Sequence, residues 1–314
     1  EAIRSFRQAT VLDPNCAMAW WGIAYANGPH INNPTMAESA ARDADDALRR
    51  ALALADSASP VERDLIRALT KRYTLPMPTD RTALNKAYAD AMSAVWRDHP
   101  TDADIGALYA ESMMNLRPWD LWTGTGQPQP GTPEIVATIE KVLVLRPDHP
   151  GALHFYIHAV EASPTPEKAA AAANRLRYLV PGSGHLVHMP SHIDIRLGHY
   201  DEAVQANQRA IEADLRYVNQ VGRKGFYNMY RAHNYHFLAY AAMFEGRRAL
   251  ALRAAQDITT ELTPALVREN PDVLEAFTAV PIHARVRFGL WEELLAEPKP
   301  PADMPLLTAF WHYG

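Results

Sequence analysis

The sequence predicts an all-α fold built from repeated pairs of antiparallel helices. The first observation is a period of 34 residues, which separates Pro147 from Pro181 and is repeated by the histidines that follow each proline. The second is the presence of alanine runs, 169–173 and 249–255, whose small side chains suit closely packed helices. The third is the lack of segments in which apolar and polar residues alternate, so strands are not expected.

Fifteen helices are expected along the chain, separated by turn residues. In order they cover 1–12, 16–27, 36–56, 60–73, 80–97, 102–115, 133–146, 150–162, 166–178, 184–197, 200–214, 230–244, 247–263, 272–287 and 290–297.

Two insertions interrupt the helical pattern. The first, near 117–133, reads RPWDLWTGTGQPQPGTP and is rich in glycine, proline and tryptophan. The second, near 215–230, contains Gly222, Gly225 and Phe226. Long ordered loops on a repeat scaffold often carry function, so each is expected to be either a lid or a cover for the edge of the scaffold.

One segment carries a specific repeat motif of the form G-x-Y-D-E-A-x3-N-x2-A-x3-D. Its residues are Gly198, Tyr200, Asp201, Glu202, Ala203, Asn207, Ala210 and Asp214. By this motif the chain resembles the tetratricopeptide repeat (TPR) family, with about five or six copies at this period. The resemblance implies a right-handed superhelix of antiparallel helix pairs, a TPR-like α-solenoid that covers 1–314 as a single domain.

Three further motifs resemble a bacterial subgroup of these proteins with which no firm activity is associated. They are RPWDLW at 117–122, YIHAVEASP at 156–164 and GHLVHMPSHI at 184–193. The resemblance therefore implies a fold but no function, and the function has to be inferred from individual residues.

Composition and charge exclude several classes of protein. The single cysteine, Cys16, rules out an internal disulfide, and the net charge of −5 with no basic stripe argues against nucleic-acid binding. No segment resembles a signal peptide or a membrane span, so a cytoplasmic protein without membrane contact is expected. Both ends read as interrupted repeats, and we expect the native protein to be longer.

Histidine is concentrated in three successive repeats, since nine of the thirteen histidines lie between His149 and His236. The TPR resemblance implies that the second, fifth and ninth places of each first helix face a concave groove. These places hold His154 and His158 in one copy, His185, His188 and His192 in the next, and His233, His236 and Tyr240 in the third, with His283 and Glu111 on the flanks.

Imidazoles one helical turn apart can converge on one metal ion, so the sequence predicts a metal site. The expected ligands are His154, His158, His188, His192 and His236. Expected to support the ligands or bind substrate are Glu111, His185, His233, Tyr240, His283, Trp119 and Trp122. With no cysteine nearby, the ion is expected to be copper, iron or zinc.

Two prolines stand two residues before groove histidines, Pro190 before His192 and Pro281 before His283. A proline inside a helix removes a hydrogen bond, so a bend is expected at both places. Such a bend can serve a site or merely accommodate packing.

The function expected is that of a metalloenzyme acting on a small molecule by hydrolytic or oxygen-dependent chemistry, with the reaction open. No HExxH, P-loop or GxSxG motif supports a familiar enzyme class. A metal-free TPR scaffold that binds a peptide, and a groove whose histidines respond to pH, stay as alternatives.

A lone histidine on a helix is more often a core residue than a ligand. The histidines outside the repeat register are therefore expected to have no role in the site: His30, His99, His149, His199 and His312.

Overall fold

The computed structural model describes residues 1–222 and 227–314, and all regular secondary structure within them is helical. This confirms the all-α prediction, while the superhelical TPR arrangement stays a prediction. The chain divides into two compact units, Glu1–Pro164 and Thr165–Gly314. In the described part of the chain, no helix combines the length and the apolar character needed to cross a bilayer.

The first unit consists of eight α-helices in the order of the sequence. They are α1 (Ala2–Leu12), α2 (Ala17–Ala26), α3 (Glu38–Ala53), α4 (Pro60–Leu69), α5 (Thr82–Asp98), α6 (Ala103–Met114), α7 (Thr132–Leu145) and α8 (Pro150–Val160), with a short 3₁₀ turn at Ala55–Ser57. Most consecutive helices pack against each other, and α6 also packs against α8.

Capping residues stabilise the N-termini of two helices of this unit, α4 and α8. Ser59 and Glu62 form a reciprocal capping box ahead of α4, where Pro60 takes the first helical position. His149 caps α8, because its Nδ1 accepts a hydrogen bond from Ala152 N at 3.1 Å while its Nε2 lies 3.0 Å from Asp104 Oδ1. His149 therefore has a structural role in the helix start, as expected for a histidine outside the register.

The second unit begins with a 3₁₀ turn at Pro166–Ala169 and continues, in its described residues, with eleven α-helices. They are α9 (Ala170–Leu176), α10 (Gly184–His188), α11 (Pro190–Leu197), α12 (Tyr200–Val221), α13 (Tyr227–Phe244), α14 (Arg248–Glu261), α15 (Pro264–Glu269), α16 (Pro271–Thr278), α17 (Val280–Arg287), α18 (Trp291–Leu295) and α19 (Pro305–Tyr313). Helix α12 packs against α10, α11 and α13, and α13 packs against α14.

The two prolines expected to bend helices divide them instead. The helix expected over 184–197 ends at His188 and restarts at Pro190, and the one expected over 272–287 ends at Thr278 and restarts at Val280. Proline has no N–H to donate, so it is best placed in the first turn of a helix, where that donor is not used.

Of the insertion predicted near 117–133, residues 117–131 are non-helical, and α7 begins at Thr132. Thr123 N donates to Gln127 O at 2.8 Å, and Gln129 N donates to Leu121 O at 2.9 Å, which closes the loop into a narrow turn. The left-handed backbone of Trp119, with φ of 55°, belongs to the same loop.

The second predicted insertion, 215–230, is wrong for most of its length. Helix α12 continues to Val221 and α13 begins at Tyr227, because the apolar face of α12 extends to the buried Val218. Gly225 and Phe226, which were expected to lie in this insertion, fall outside the described residues.

Glycine at the start of α10 is required by a close approach of α12. A Cβ at Gly184 would overlap the Asp214 carboxylate and press against Ala210 O. We expect Gly184→Ala to lower the free energy of unfolding by about 1–3 kcal/mol through overpacking. The matched control is Gly182→Ala, since nothing lies within 4 Å of a Cβ there. Chemical denaturation measures both variants, and equal stabilities would contradict the assigned packing.

Candidate metal centre

Three imidazoles from α10, α11 and α13 come together in the second unit. His188, His192 and His233 each offer one ring nitrogen, and these nitrogens all lie within 4.8 Å of one another. His188 Nε2 lies 2.9 Å from His192 Nε2. We call these residues the histidine triad.

His188 and His192 keep helical spacing although they belong to two separate helices. Met189 keeps helical backbone angles, with φ of −50° and ψ of −38°, and accepts a hydrogen bond from His192 N at 3.2 Å. The two histidines therefore keep the arrangement of residues i and i+4, and their ring centroids lie 4.8 Å apart.

Asn207 of α12 determines which nitrogen of His188 carries the proton. The Asn207 amide is fully buried, and its Nδ2 donates to Ala203 O at 2.8 Å, which turns its Oδ1 towards His188. His188 Nδ1 lies 2.6 Å from that oxygen. Because a carbonyl oxygen can only accept, Nδ1 is the donor, and the Nε2 of a neutral His188 is left with a lone pair.

Ser191 agrees with this proton assignment. Its hydroxyl lies 3.4 Å from His188 Nδ1 but donates its proton to the backbone oxygen of His188 at 2.7 Å. The hydroxyl can then only accept towards the ring, which again places the proton on Nδ1.

The donor set fits a metal ion. Two nitrogens bound to one tetrahedral ion lie roughly 3.3 Å apart, given bonds of about 2.0–2.1 Å. The distance between the Nε2 atoms of His188 and His192, 2.9 Å, is shorter than that value, and the upper limit for all three nitrogens, 4.8 Å, is longer. Modest side-chain rotation would therefore bring the three nitrogens to ligand distances. Such closely grouped imidazole nitrogens could hold a metal ion.

Helix α13, which carries His233, is held by buried polar contacts on both sides of that residue. Asn234 Nδ2 donates to Asp214 Oδ2 at 2.8 Å, and Tyr227 donates to Asp214 Oδ1 at 2.5 Å. Arg231 forms a buried ion pair with Glu261 of α14, with 2.6 Å between Nη2 and Oε1. These contacts fix the rotation of α13 and thereby the direction in which His233 faces.

Burial raises the pKa of Asp214, although the hydrogen bonds from Tyr227 and Asn234 oppose the shift. The same burial, together with the hydrogen bond to Asp214, raises the pKa of Tyr227. Since Tyr227 keeps its proton, it serves as a stable donor in this network.

An aromatic ring covers one side of the triad. The ring of Phe237 lies 4.7, 4.5 and 4.7 Å from those of His188, His192 and His233. An apolar ring in this place excludes water from the imidazoles and strengthens electrostatic interactions with any ion they hold.

Three other residues predicted for the site, His185, His236 and Tyr240, pack against aromatic rings and are not grouped with the triad. The ring of His185 packs 4.9 Å from that of Tyr230, and Tyr240 packs 4.8 Å from Phe244. His236 packs edge-on against Phe277 at 5.4 Å. The structure thus groups His233, which was expected in a supporting role, with His188 and His192, whereas ligation by His236 stays a prediction.

Two histidines near the triad are held neutral. Burial, with a smaller contribution from repulsion by His283, lowers the pKa of His236 to about 4. Burial also lowers the pKa of His283, whose ring packs 4.6 Å from Phe310. Both rings are therefore uncharged at neutral pH.

The first unit contains the other predicted ligands, His154 and His158, on consecutive turns of α8. Both are buried, and their ring centroids lie 4.8 Å apart. His158 Nδ1 donates to Glu161 Oε1 at 2.9 Å, and Asn32 Nδ2 lies 3.4 Å from His154 Nε2. That His154 and His158 bind the same ion as His188 and His192 stays a prediction.

Glu111 is buried in the first unit, where it accepts hydrogen bonds from Tyr25 at 3.2 Å and from Asn115 Nδ2 at 2.6 Å. Trp122 fastens the first insertion to α8, because its Nε1 donates to Ala159 O at 2.7 Å. Trp119 is 54% exposed in the same loop. The loop thus contacts the helix that carries His154 and His158.

Sequence reasoning missed the contributions of Asn207 and Phe237. In the sequence Asn207 is one position of the repeat motif, and nothing in the sequence indicates which residue its amide contacts. Phe237 directly follows His236 and reads as an ordinary core residue.

No family model matches the chain, and no curated protein is significantly similar to it.

Protonation of His236 is expected to make the second unit sensitive to acid. In an unfolded chain its pKa is near 6.5, so as the pH falls from about 6.5 to about 4 the unfolded state binds this proton first. Stability is therefore lost through that window, and we expect His236→Phe to reduce the loss by up to about 1.4 kcal/mol per pH unit. Denaturant unfolding with a chelator present measures this effect. The exposed His199 provides the control variant, His199→Phe, and a slope unchanged by His236→Phe would contradict the prediction.

Proposed function

We propose that the protein binds a transition metal ion through His188, His192 and His233 and acts as a metal-dependent enzyme on a small molecule. The observation that supports this most is the grouping of three imidazole nitrogens within 4.8 Å, with one of them held in the ligating tautomer by a buried amide. The helical fold is proposed to be a TPR-like scaffold that carries the centre.

The choice of metal follows from the donors. Neutral imidazole suits copper, iron and zinc, and the chain's one cysteine, Cys16, belongs to the first unit. Three nitrogen ligands are fewer than a closed structural zinc site uses, and they leave a coordination position for water or substrate. That open position favours catalysis over a purely structural role.

When bound, such an ion would polarise a substrate oxygen or lower the pKa of a water molecule. The chain's own residues do the rest. Asn207 holds the proton of His188 on Nδ1, Phe237 keeps water from one side of the triad, and His236 presents a neutral ring nearby. Hydrolytic and oxygen-dependent reactions both remain compatible with this arrangement.

Metal analysis tests the proposal. We expect protein purified without a histidine tag to carry about one ion per triad, and the double variant His188→Ala, His192→Ala to lose it. His199→Ala is the matched control, because His199 is exposed at the start of α12. Elemental analysis after dialysis provides the measurement, with circular dichroism to show that the variants fold.

Equal metal content in the double variant and the control would contradict the proposal. A metal-free protein that captures one peptide, with binding indifferent to chelators, would favour the alternative of a peptide-binding TPR scaffold.

Asn207 provides a finer test because it does not touch the ion. Outer hydrogen-bond partners of metal-bound histidines typically contribute 10- to 100-fold to affinity, so we expect Asn207→Leu to weaken metal binding by about that factor. Asn207→Asp keeps an acceptor oxygen opposite His188 Nδ1 and should retain most of the affinity. Titration with a competing chelator measures both variants, and equal losses in the two would show that the acceptor has no specific role.

A further inference from the structure

A cavity lies in the last part of the second unit, and none of the triad residues lines it. It has a volume of about 420 Å³ and is lined by residues of α14, α15, α16, α17 and α19 and of the segment between α18 and α19. This volume falls within the range of roughly 300–1,000 Å³ typical of small-molecule sites.

The wall of this cavity is apolar and stiff. Its apolar side chains include Ile282, Leu307 and Trp311, and five of its lining residues are prolines, three of them in the segment 298–301. Prolines have a fixed φ and lose little conformational freedom when a ligand binds. The cavity is therefore suited to an apolar body without rearrangement.

The charged groups of the cavity are mostly positive. Arg268, Arg285 and Lys299 line it together with one acid, Glu297. Arg268 is paired with Asp303, whose Oδ2 lies 2.6 Å from its Nε, and Arg285 is paired with Glu297, so the positive charge left over at the cavity is that of Lys299. The protein as a whole carries a net charge of −5, so a local excess of cations is not a consequence of composition. Such an excess attracts an anion.

Arg285 is the group best placed to bind that anion. Its Nη1 is buried and makes no hydrogen bond, although it lies 3.0 Å from Glu297 Oε2 as an ion pair. Glu297 is otherwise tied to the cavity wall through its backbone oxygen, which accepts from Trp311 Nε1 at 3.0 Å. A buried guanidinium nitrogen with an unused donor is costly, and a ligand oxygen would satisfy it.

We propose that this cavity binds a small organic carboxylate whose apolar body lies against Ile282, Leu307 and Trp311. Its carboxylate accepts from Arg285 and is attracted by Lys299. Guanidinium groups pair well with carboxylates because the two are planar and can share parallel hydrogen bonds.

Calorimetric titration with two matched probes tests the inference. The probes are 4-phenylbutyrate and its neutral counterpart 4-phenylbutan-1-ol, which share the apolar body and differ in charge. We expect the carboxylate to bind and the alcohol to bind at least about tenfold more weakly, since hydrogen bonds to charged groups are worth about 1.5–3 kcal/mol.

Three variants locate the binding. Arg285→Gln should weaken 4-phenylbutyrate at least about tenfold, and Lys299→Gln, at an exposed position, by a smaller factor of about two to five. Arg253→Gln is the matched control, since Arg253 is exposed on α14 and does not line the cavity. Thermal unfolding of each variant shows whether it is folded. If Arg285→Gln does not fold, Lys299→Gln still tests the proposal.

Equal affinity for the acid and the alcohol would overturn the proposal, as would binding unaffected by both Arg285→Gln and Lys299→Gln. The absence of binding for 4-phenylbutyrate and for octanoate up to about 10 mM would also overturn it, because that corresponds to less than about 3 kcal/mol of binding free energy. Metal content is expected to be the same in all these variants, so failure here is separable from failure of the metal proposal.

Discussion

The hydrogen bond from His188 Nδ1 to Asn207 Oδ1 is the contact on which the proposed chemistry depends. It is buried, and its acceptor is itself oriented by the bond from Asn207 Nδ2 to Ala203 O. A buried polar pair of this kind is costly to break, since each lost partner leaves a group unsatisfied. It fixes both the rotation of the imidazole and the position of its proton, and so places a lone pair on His188 Nε2, the atom with which this residue could bind an ion.

A few buried polar groups on the surrounding helices hold the histidine triad in position. Asp214 receives hydrogen bonds from Tyr227 and Asn234, and Arg231 pairs with Glu261. These contacts join α13 to α12 and α14, so the helix carrying His233 cannot rotate without exposing charges to an apolar interior. The close approach that Gly184 allows brings α10 against the same Asp214. Position and protonation of the triad thus follow from one connected set of contacts.

Much of this could be predicted from the sequence, and the limits have physical causes. The 34-residue period and the i, i+4 spacing predict the helices and the pairing of His188 with His192. The choice between His233 and His236 could not be predicted, because both stand on one face of α13, three residues apart, and helix rotation decides between them. That rotation is set by Arg231, Asn234 and Phe237, whose partners lie on other helices. The length of α12 was underestimated for a similar reason, since burial of Val218 extends the helix.

The central claim is that one ion lies on this triad in the second unit. Anomalous diffraction from crystals of the metal-loaded protein, recorded on both sides of the absorption edge, tests it most directly. We predict a single strong difference peak within about 2.0–2.2 Å of the ring nitrogens of His188, His192 and His233. A peak elsewhere in the unit, or no peak at these nitrogens in crystals that contain stoichiometric metal, would contradict it.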